Sequence, residues 1–255
     1  MVVTFLGTGT SQGVPVIGCD CPVCRSLDFR DKRLRVAVHL AVAGRSLIID
    51  TAPDFRQQML RERIQTVDAL LLTHQHKDHT AGLDDIRAYN YRQGIDMPVF
   101  GRPEVLDQLK TEFAYAFAEV KYPGSPQLAL QPIQNQIFEA AGIPVTPIEV
   151  MHYQLPVYGF RVGNFTYITD ANFIADEELE KVKGSEVVVL NALQQEPHIS
   201  HFTLEEALAV LEKLQPERAY LTHISHRMGC HAAVDKHLPP NVRLAYDGLQ
   251  VKIAD

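Results

Sequence analysis

The chain has no apolar run of about 18 residues, the length a membrane-spanning helix needs, so no span is expected. It has no excess of positive charge. Its 24 Lys and Arg stand against 31 Asp and Glu, a formal net charge of −7 with histidine neutral. Nothing broad is available to neutralise a polyanion, so general nucleic-acid binding is not expected, and only a local basic pocket stays open as an exception. The first residues, MVVTFLGTGT, lack a basic stretch ahead of an apolar core, so no secretory signal is expected. The default compartment is then cytoplasmic, where thiols stay reduced. Cysteines are few, four in all, and in that setting they point to metal or chemistry before disulfides. There is no internal repeat, low-complexity tract or linker. Residues 1–255 are expected to form one domain, long enough to bury a substantial core.

What is present is a series of short, β-branched apolar runs. Val2–Leu6, Val36–Ala43, Ser46–Asp50, Ala69–Leu72, Val145–Val150, Tyr158–Val162, Phe165–Thr169, Val187–Leu190, Ala219–Leu221 and Leu249–Ile253 read as strands. Ala43-Gly44-Arg45 and Gly163-Asn164 read as hairpin turns. Helical patterns run over about Asp54–Arg63, Pro103–Phe113 and Thr203–Lys213, the last opening with capping-box spacing at Thr203-Leu204-Glu205-Glu206. Hairpins mixed with strand–helix alternation, in two halves, predict an α/β protein with antiparallel pairing. Tyr115–Asn135 is rich in Pro, Gly and Gln and has no period, and residues 113–135 are expected to be a long loop or lid.

Gly7-Thr8-Gly9-Thr10-Ser11-Gln12 follows a strand, as a dinucleotide fingerprint would, but Gln12 holds the place of the third glycine. Pro15, Gly18 and Pro22 then break the helix that should present its N-terminus to a pyrophosphate. A tight turn needing positive φ is the better expectation.

The eleven histidines are the compositional excess, and LLLTHQHKDHTAG concentrates three of them. His74, His76, Asp78 and His79 follow an apolar run, at a strand's C-terminal end. Three imidazoles and a carboxylate this close suit a divalent metal of the zinc or manganese type. A strand-like H-x-H puts His74 and His76 on one side and leaves Asp78 and His79 for a neighbouring position, which predicts two ions about 3.5–4 Å apart. His152, Asp170 and His223 each stand just past an apolar run and are candidates to converge on the same edge.

The series H-x-H-x-D-H, His, Asp, His resembles the metallo-β-lactamase superfamily along essentially the whole chain. The resemblance implies a four-layer αβ/βα sandwich with a binuclear site. His74, His76 and His152 would hold one ion, Asp78, His79 and His223 the second, and Asp170 would bridge. Asp50, in LIIDTAPD, would orient a histidine from behind. Within the superfamily, GTGTSQGVP followed by C-x-C-x-x-C, with LTHISH near the end, is similar to the phosphoribosyl 1,2-cyclic phosphate phosphodiesterase group. That likeness implies a structural zinc in a small insert over residues 18–30, held by Cys19, Cys21, Cys24 and His226. A Cys3His set suits closed tetrahedral zinc; Cys230 is the rival fourth ligand, and a redox pair at Cys21 and Cys24 is the alternative use.

The expected activity is hydrolysis of a small phosphodiester, a cyclic ribose phosphate among the options, by a hydroxide bridging two metals. Asp78 and Asp170 would serve the catalytic metals. His201, in an H-x-T element before a helix, would protonate the leaving group, with His198 as the adjacent alternative. Arg87 and Asn90, with Arg92, are candidates to contact substrate, while the basic run Arg30–Arg35 reads as a solvated edge. Tyr153 stands where many relatives have glycine, which bears on pocket shape. The catalytic ions would be zinc or manganese, with iron and nickel as further options. A homodimer is expected by analogy. The rivals are a tRNA 3′-end endonuclease, a lactone or thioester hydrolase on the same fold, and a non-catalytic RNA- or metal-binding module.

Overall fold

A computed structural model of the chain describes residues 1–254. Two sheets form its centre. The strands of the first half are β1 (Val2–Gly7), β2 (Ala37–Val42), β3 (Arg45–Ile49), β4 (Ala69–Leu71), β5 (Met97–Gly101) and β6 (Leu128–Pro132). Those of the second half are β7 (Phe138–Ala140), β8 (Ile143–His152), β9 (Leu155–Val162), β10 (Phe165–Ile168), β11 (Phe173–Ile174), β12 (Val187–Asn191), β13 (Arg218–Thr222), β14 (Val242–Leu244) and β15 (Gln250–Lys252). The first sheet runs β15-β1-β2-β3-β4-β5-β6 and the second β11-β8-β9-β10-β12-β13-β14, with β7 paired to β8. Each sheet is antiparallel on one side and parallel on the other.

The strand side chains alternate between two cores, as a pleat with period two requires. Val3 and Phe5, Leu47 and Ile49, Phe165 and Tyr167, and Val187 and Val189 meet between the sheets. Leu6, Ile48 and Leu70 face the other way, against the helices Phe55–Glu62, Arg87–Gln93 and Pro103–Glu112. Ile168, Val188 and Leu190 likewise face the helices Asp176–Val182 and Leu204–Leu214. The result is helices, sheet, sheet, helices. It is the layering expected of the αβ/βα sandwich, and it explains why these strands read as unbroken apolar runs: both faces are covered.

Three sequence expectations are corrected. Residues 113–135 are not one lid loop: Ala114–Phe117 is helical and Leu128–Pro132 is the edge strand β6, paired parallel with β5. Gln and Pro hide its pattern, and an edge strand tolerates both because one side of its ladder is unpaired. Gly7 and Gly9 do not take positive φ, which in this turn falls to Gly13 at 67°. They are required instead by close packing. A Cβ on Gly7 would lie 1.9 Å from the Arg35 carbonyl oxygen, and one on Gly9 would lie 2.9 Å from the Arg33 oxygen. Arg33 is not on a solvated edge. It is buried, donating to Thr8 Oγ1 at 2.8 Å and the Ala245 carbonyl at 2.6 Å, with His231 Nδ1 at 3.1 Å.

Candidate metal centre

Strands β3 and β4 run parallel, and β8, β10, β12 and β13 share one direction within their sheet. Their C-terminal ends deliver Asp50, His74, His152, Asp170, Asn191 and His223. Asp50, Asp170 and His223 leave their strands through left-handed backbone, at φ 65°, 57° and 56°. L residues resist that conformation by about 1–2 kcal/mol, and such residues gather at functional sites. Past β4 the chain turns at His76 into the short helix Lys77–Thr80, which carries Asp78 and His79 in its single turn.

Donor atoms gather into two separate groups and a third, His152, Asp170 and His201, that shares a residue with each. His74, His76 and His152 form one and Asp78, His79, Asp170 and His223 another, all donors within each lying within 4.8 Å of one another. His74 Nε2 is 3.0 Å from His76 Nδ1. Asp170 faces both groups. Its Oδ1 is 3.3 Å from His79 Nε2, and its Oδ2 is 3.3 Å from His223 Nε2 and 3.9 Å from both His74 Nε2 and His152 Nε2. His201 joins from the side, with Nε2 at 3.1 Å from Asp170 Oδ2 and its ring stacked on His223 at 4.7 Å.

The far nitrogens are held by the scaffold. Asp50 Oδ2 accepts from His79 Nδ1 at 2.7 Å, while the Thr73 backbone and hydroxyl donate to the same carboxylate. His74 Nδ1 pairs with Thr73 Oγ1 at 3.0 Å, and His152 Nδ1 donates to the Ser200 carbonyl at 2.9 Å. Asn191 clamps the peptide after Asp170, accepting from Ala171 N–H and donating to its carbonyl. Each such bond fixes a tautomer and aims the other nitrogen inward. Thr73, Asn191 and Ser200 escaped the sequence reading, because a lone polar residue beside an apolar run carries no spacing signal.

Charge follows the geometry. Burial opposes ionisation of Asp170, but the imidazoles of His223 and His79 outweigh it and hold its carboxyl well below the usual range. Asp78 is held low in the same way, chiefly by His79. His79 is held well above the usual imidazole range, since Asp170, Asp78 and Asp50 overcome its burial. Burial pushes His74 well down and His201 down to about 4. Three carboxylates thus converge on one imidazole and call for cationic charge. His79 Nε2 and both ring nitrogens of His223 are buried without a hydrogen bond. Buried polar atoms are rarely left so. Donor separations of 3.0–3.3 Å suit ligands about 2.0–2.1 Å from a shared tetrahedral ion, so the residues fit divalent cations.

A second cluster sits in the N-terminal insert. The Sγ atoms of Cys19, Cys21 and Cys24 lie 3.3, 3.5 and 3.6 Å from His226 Nδ1. An ion with bonds of about 2.3 Å to sulfur and 2.0–2.1 Å to nitrogen sets that edge near 3.5 Å. The backbone N–H of Cys24 lowers the Cys21 thiol to about 6, and burial raises Cys24 to about 11. Cys230 stands outside this group, at the start of the helix His231–Asp235. The turn at Gly9 bridges to Ile224, between His223 and His226.

The expected substrate contacts lie elsewhere. Asn90 is buried and donates to the Ile95 and Gln127 carbonyls while accepting from Gln127 N–H, so its amide fastens the approach to β6. Arg87 pairs with Asp84 at 3.0 Å and lines a depression with Tyr91, Tyr115 and Tyr122. Thr203, of the H-x-T element, caps the helix Leu204–Leu214, accepting from Glu206 N–H at 3.2 Å. A cavity of about 510 Å³ opens beside the centre instead, lined by His76, His152, Tyr153, Leu155, Ile199 and Ser200 among others.

Comparison with known proteins places this geometry. The model of the beta-lactamase superfamily domain matches residues 45–224. The chain is 39% identical over 252 residues to an octanoyltransferase of Porphyromonas gingivalis, covering 98% of this chain and 51% of that protein. It is 28% identical over 168 residues to a ribonuclease Z of Crocosphaera subtropica, covering 64% of this chain and 48% of that protein. The chain thus spans about half the length of these curated relatives. A crystal structure of a diphosphatase from the PhnP family superposes with a TM-score of 0.93 at 38% identity, covering 99% of this chain and 98% of that one. With the matched domain spanning β3 to the residue after His223, this chain belongs to the metallo-β-lactamase superfamily.

Proposed function

We propose that the chain hydrolyses a small phosphodiester at a binuclear centre. The observation that carries this reading is Asp170 facing two separate groups of donors. His74, His76 and His152 would hold one ion, Asp78, His79 and His223 the other, with Asp170 between them. When bound, two divalent ions supply Lewis acidity toward phosphoryl oxygens and acidify a water. The residues themselves do the rest. Asp50 fixes the tautomer of His79. His201 stands beside Asp170, placed to stabilise the leaving alkoxide through a hydrogen bond. Its Nδ1 lies 3.0 Å from Ser200 Oγ and 3.2 Å from His198 Nδ1, which continues toward solvent. Cys19, Cys21, Cys24 and His226 would hold a structural zinc that steadies the segment after His223.

Likeness over nearly the full chain to a PhnP-family diphosphatase supports phosphorus ester chemistry. The octanoyltransferase supports an acyl rival, but half of that protein has no counterpart here. The test is turnover of bis-p-nitrophenyl phosphate, a 2′,3′-cyclic nucleotide, an acyl-homoserine lactone and an octanoyl thioester by zinc- or manganese-loaded protein. Diester turnover lost in His201→Ala is expected; lactone or thioester turnover without diester turnover would sink the reading. The same proposal includes a homodimer, read by light scattering.

A further inference from the structure

We infer that Tyr153 forms the aromatic wall of a subsite for a planar ring, of the nucleobase kind, attached to the substrate phosphate. The inference rests on the phosphodiesterase reading for the place of the phosphate.

Tyr153 and Gln154 form the two-residue turn between β8 and β9, with His152 paired to Leu155 across it. Positive φ falls on the first turn residue, Tyr153 at 56°, and not on the second. That is the pattern of a hairpin turn whose first position strongly favours glycine. A bulky L side chain resists it. The backbone therefore does not explain tyrosine here, whereas the side chain's position does. Tyr153 is 53% exposed and lines the cavity together with His76 and His152.

Ile199, 65% exposed, and Leu155 line the same cavity. One side chain links Tyr153 and Ile199. Asn172 accepts from the Tyr153 backbone N–H through Oδ1 at 2.8 Å and donates from Nδ2 to the Ile199 carbonyl at 3.3 Å. Asn172 follows Asp170 by two residues, so the same segment that faces both donor groups also ties together these two residues. An aromatic and an aliphatic side chain lining one cavity of about 510 Å³, with two histidines of the centre in the same lining, suit a flat ring whose phosphate reaches the metals.

The test is calorimetric titration of the metal-loaded protein with AMP and with methyl phosphate. The wild type is expected to bind AMP about tenfold more tightly, the scale of one base–aromatic stack. Tyr153→Ala should bring the two affinities to within about twofold, and Tyr153→Phe should keep the difference. Tyr153→Gly suits the turn and should match Tyr153→Ala in binding while melting no lower than the wild type, which separates ring loss from misfolding. An AMP preference absent in the wild type, or unchanged in the Ala and Gly variants, overturns the subsite. Wild-type turnover of bis-p-nitrophenyl phosphate is measured in parallel. No turnover together with Tyr153-dependent AMP binding would remove the diesterase reading and leave the subsite standing.

Discussion

Asp50 is fully buried, and its carboxylate decides what His79 can do. It takes the Nδ1 proton at 2.7 Å and leaves Nε2 aimed between Asp78 and Asp170, each 3.3 Å away. Asp50→Ala should therefore lower affinity for the catalytic metal by about 10–100-fold, read by metal titration, while the cysteine cluster keeps its ion. His39 shows the same kind of control away from the centre. Burial holds its imidazole down to about 4, against an ordinary 6.5, with Nε2 against Ser46 Oγ at 2.9 Å. The unfolded chain then takes up that proton first. Stability from His39 is full above pH 6.5 and is lost as the pH falls toward 4, on the order of 2–3 kcal/mol. His39→Gln should flatten this part of the profile of urea midpoint against pH; an unchanged slope would show that His39 does not titrate in this window.

Elements with a strong period were legible in the sequence, and those shaped by their neighbours were not. The helix Leu204–Leu214 was visible because its cap is local: the Thr203 side chain accepts from Glu206 N–H, and the Glu206 carboxylate accepts from Thr203 N–H. Thr203→Ala should cost about 1 kcal/mol in chemical denaturation. It should also loosen the His198–His201 segment just ahead, so a fall in kcat larger than the stability loss implies is expected. Strands β5, β6, β7, β11 and β14 leave no clear trace in the sequence, because two to five residues carry too few alternations to stand out. The turn from Gly7 to Gly13 takes its positive φ at Gly13 and not at Gly7 or Gly9. Its glycines answer to a backbone close in space, that of Arg33 and Arg35, which no local pattern reveals.

At the scale of the molecule, the centre exists because two sheets present their strand ends at one edge. The first sheet's half contributes Asp50 and the His74–His79 loop; the second contributes His152, Asp170 and His223. Neither half holds a complete donor set. The N-terminal insert adds a further tie, since Cys19, Cys21 and Cys24 reach His226 across about two hundred residues of chain. Metal bound at either cluster favours the folded chain, so chelation should lower the melting temperature. Three ions per chain are expected by elemental analysis, one of them resistant to chelator. His226→Ala should lose only the resistant ion and Cys230→Ala none; loss of an ion in Cys230→Ala would return that thiol to the cluster.

The sequence by itself determined the chemistry of the donors. H-x-H-x-D-H is a local pattern, and isolated His152, Asp170 and His223 each close an apolar run, so ligand types could be read from composition and spacing. It also determined the mixed α/β class with antiparallel pairing, since apolar strand runs and amphipathic helices differ in period, while the layering was implied by the family resemblance. Only the tertiary structure decided why Arg33 is buried, why the Asn90 amide is tied to the Ile95 and Gln127 backbone, and which residues line the cavity beside the centre. Most of those are contacts between residues tens to hundreds of positions apart, set by strand order and sheet packing, and pairings of that reach leave no periodic trace along the chain.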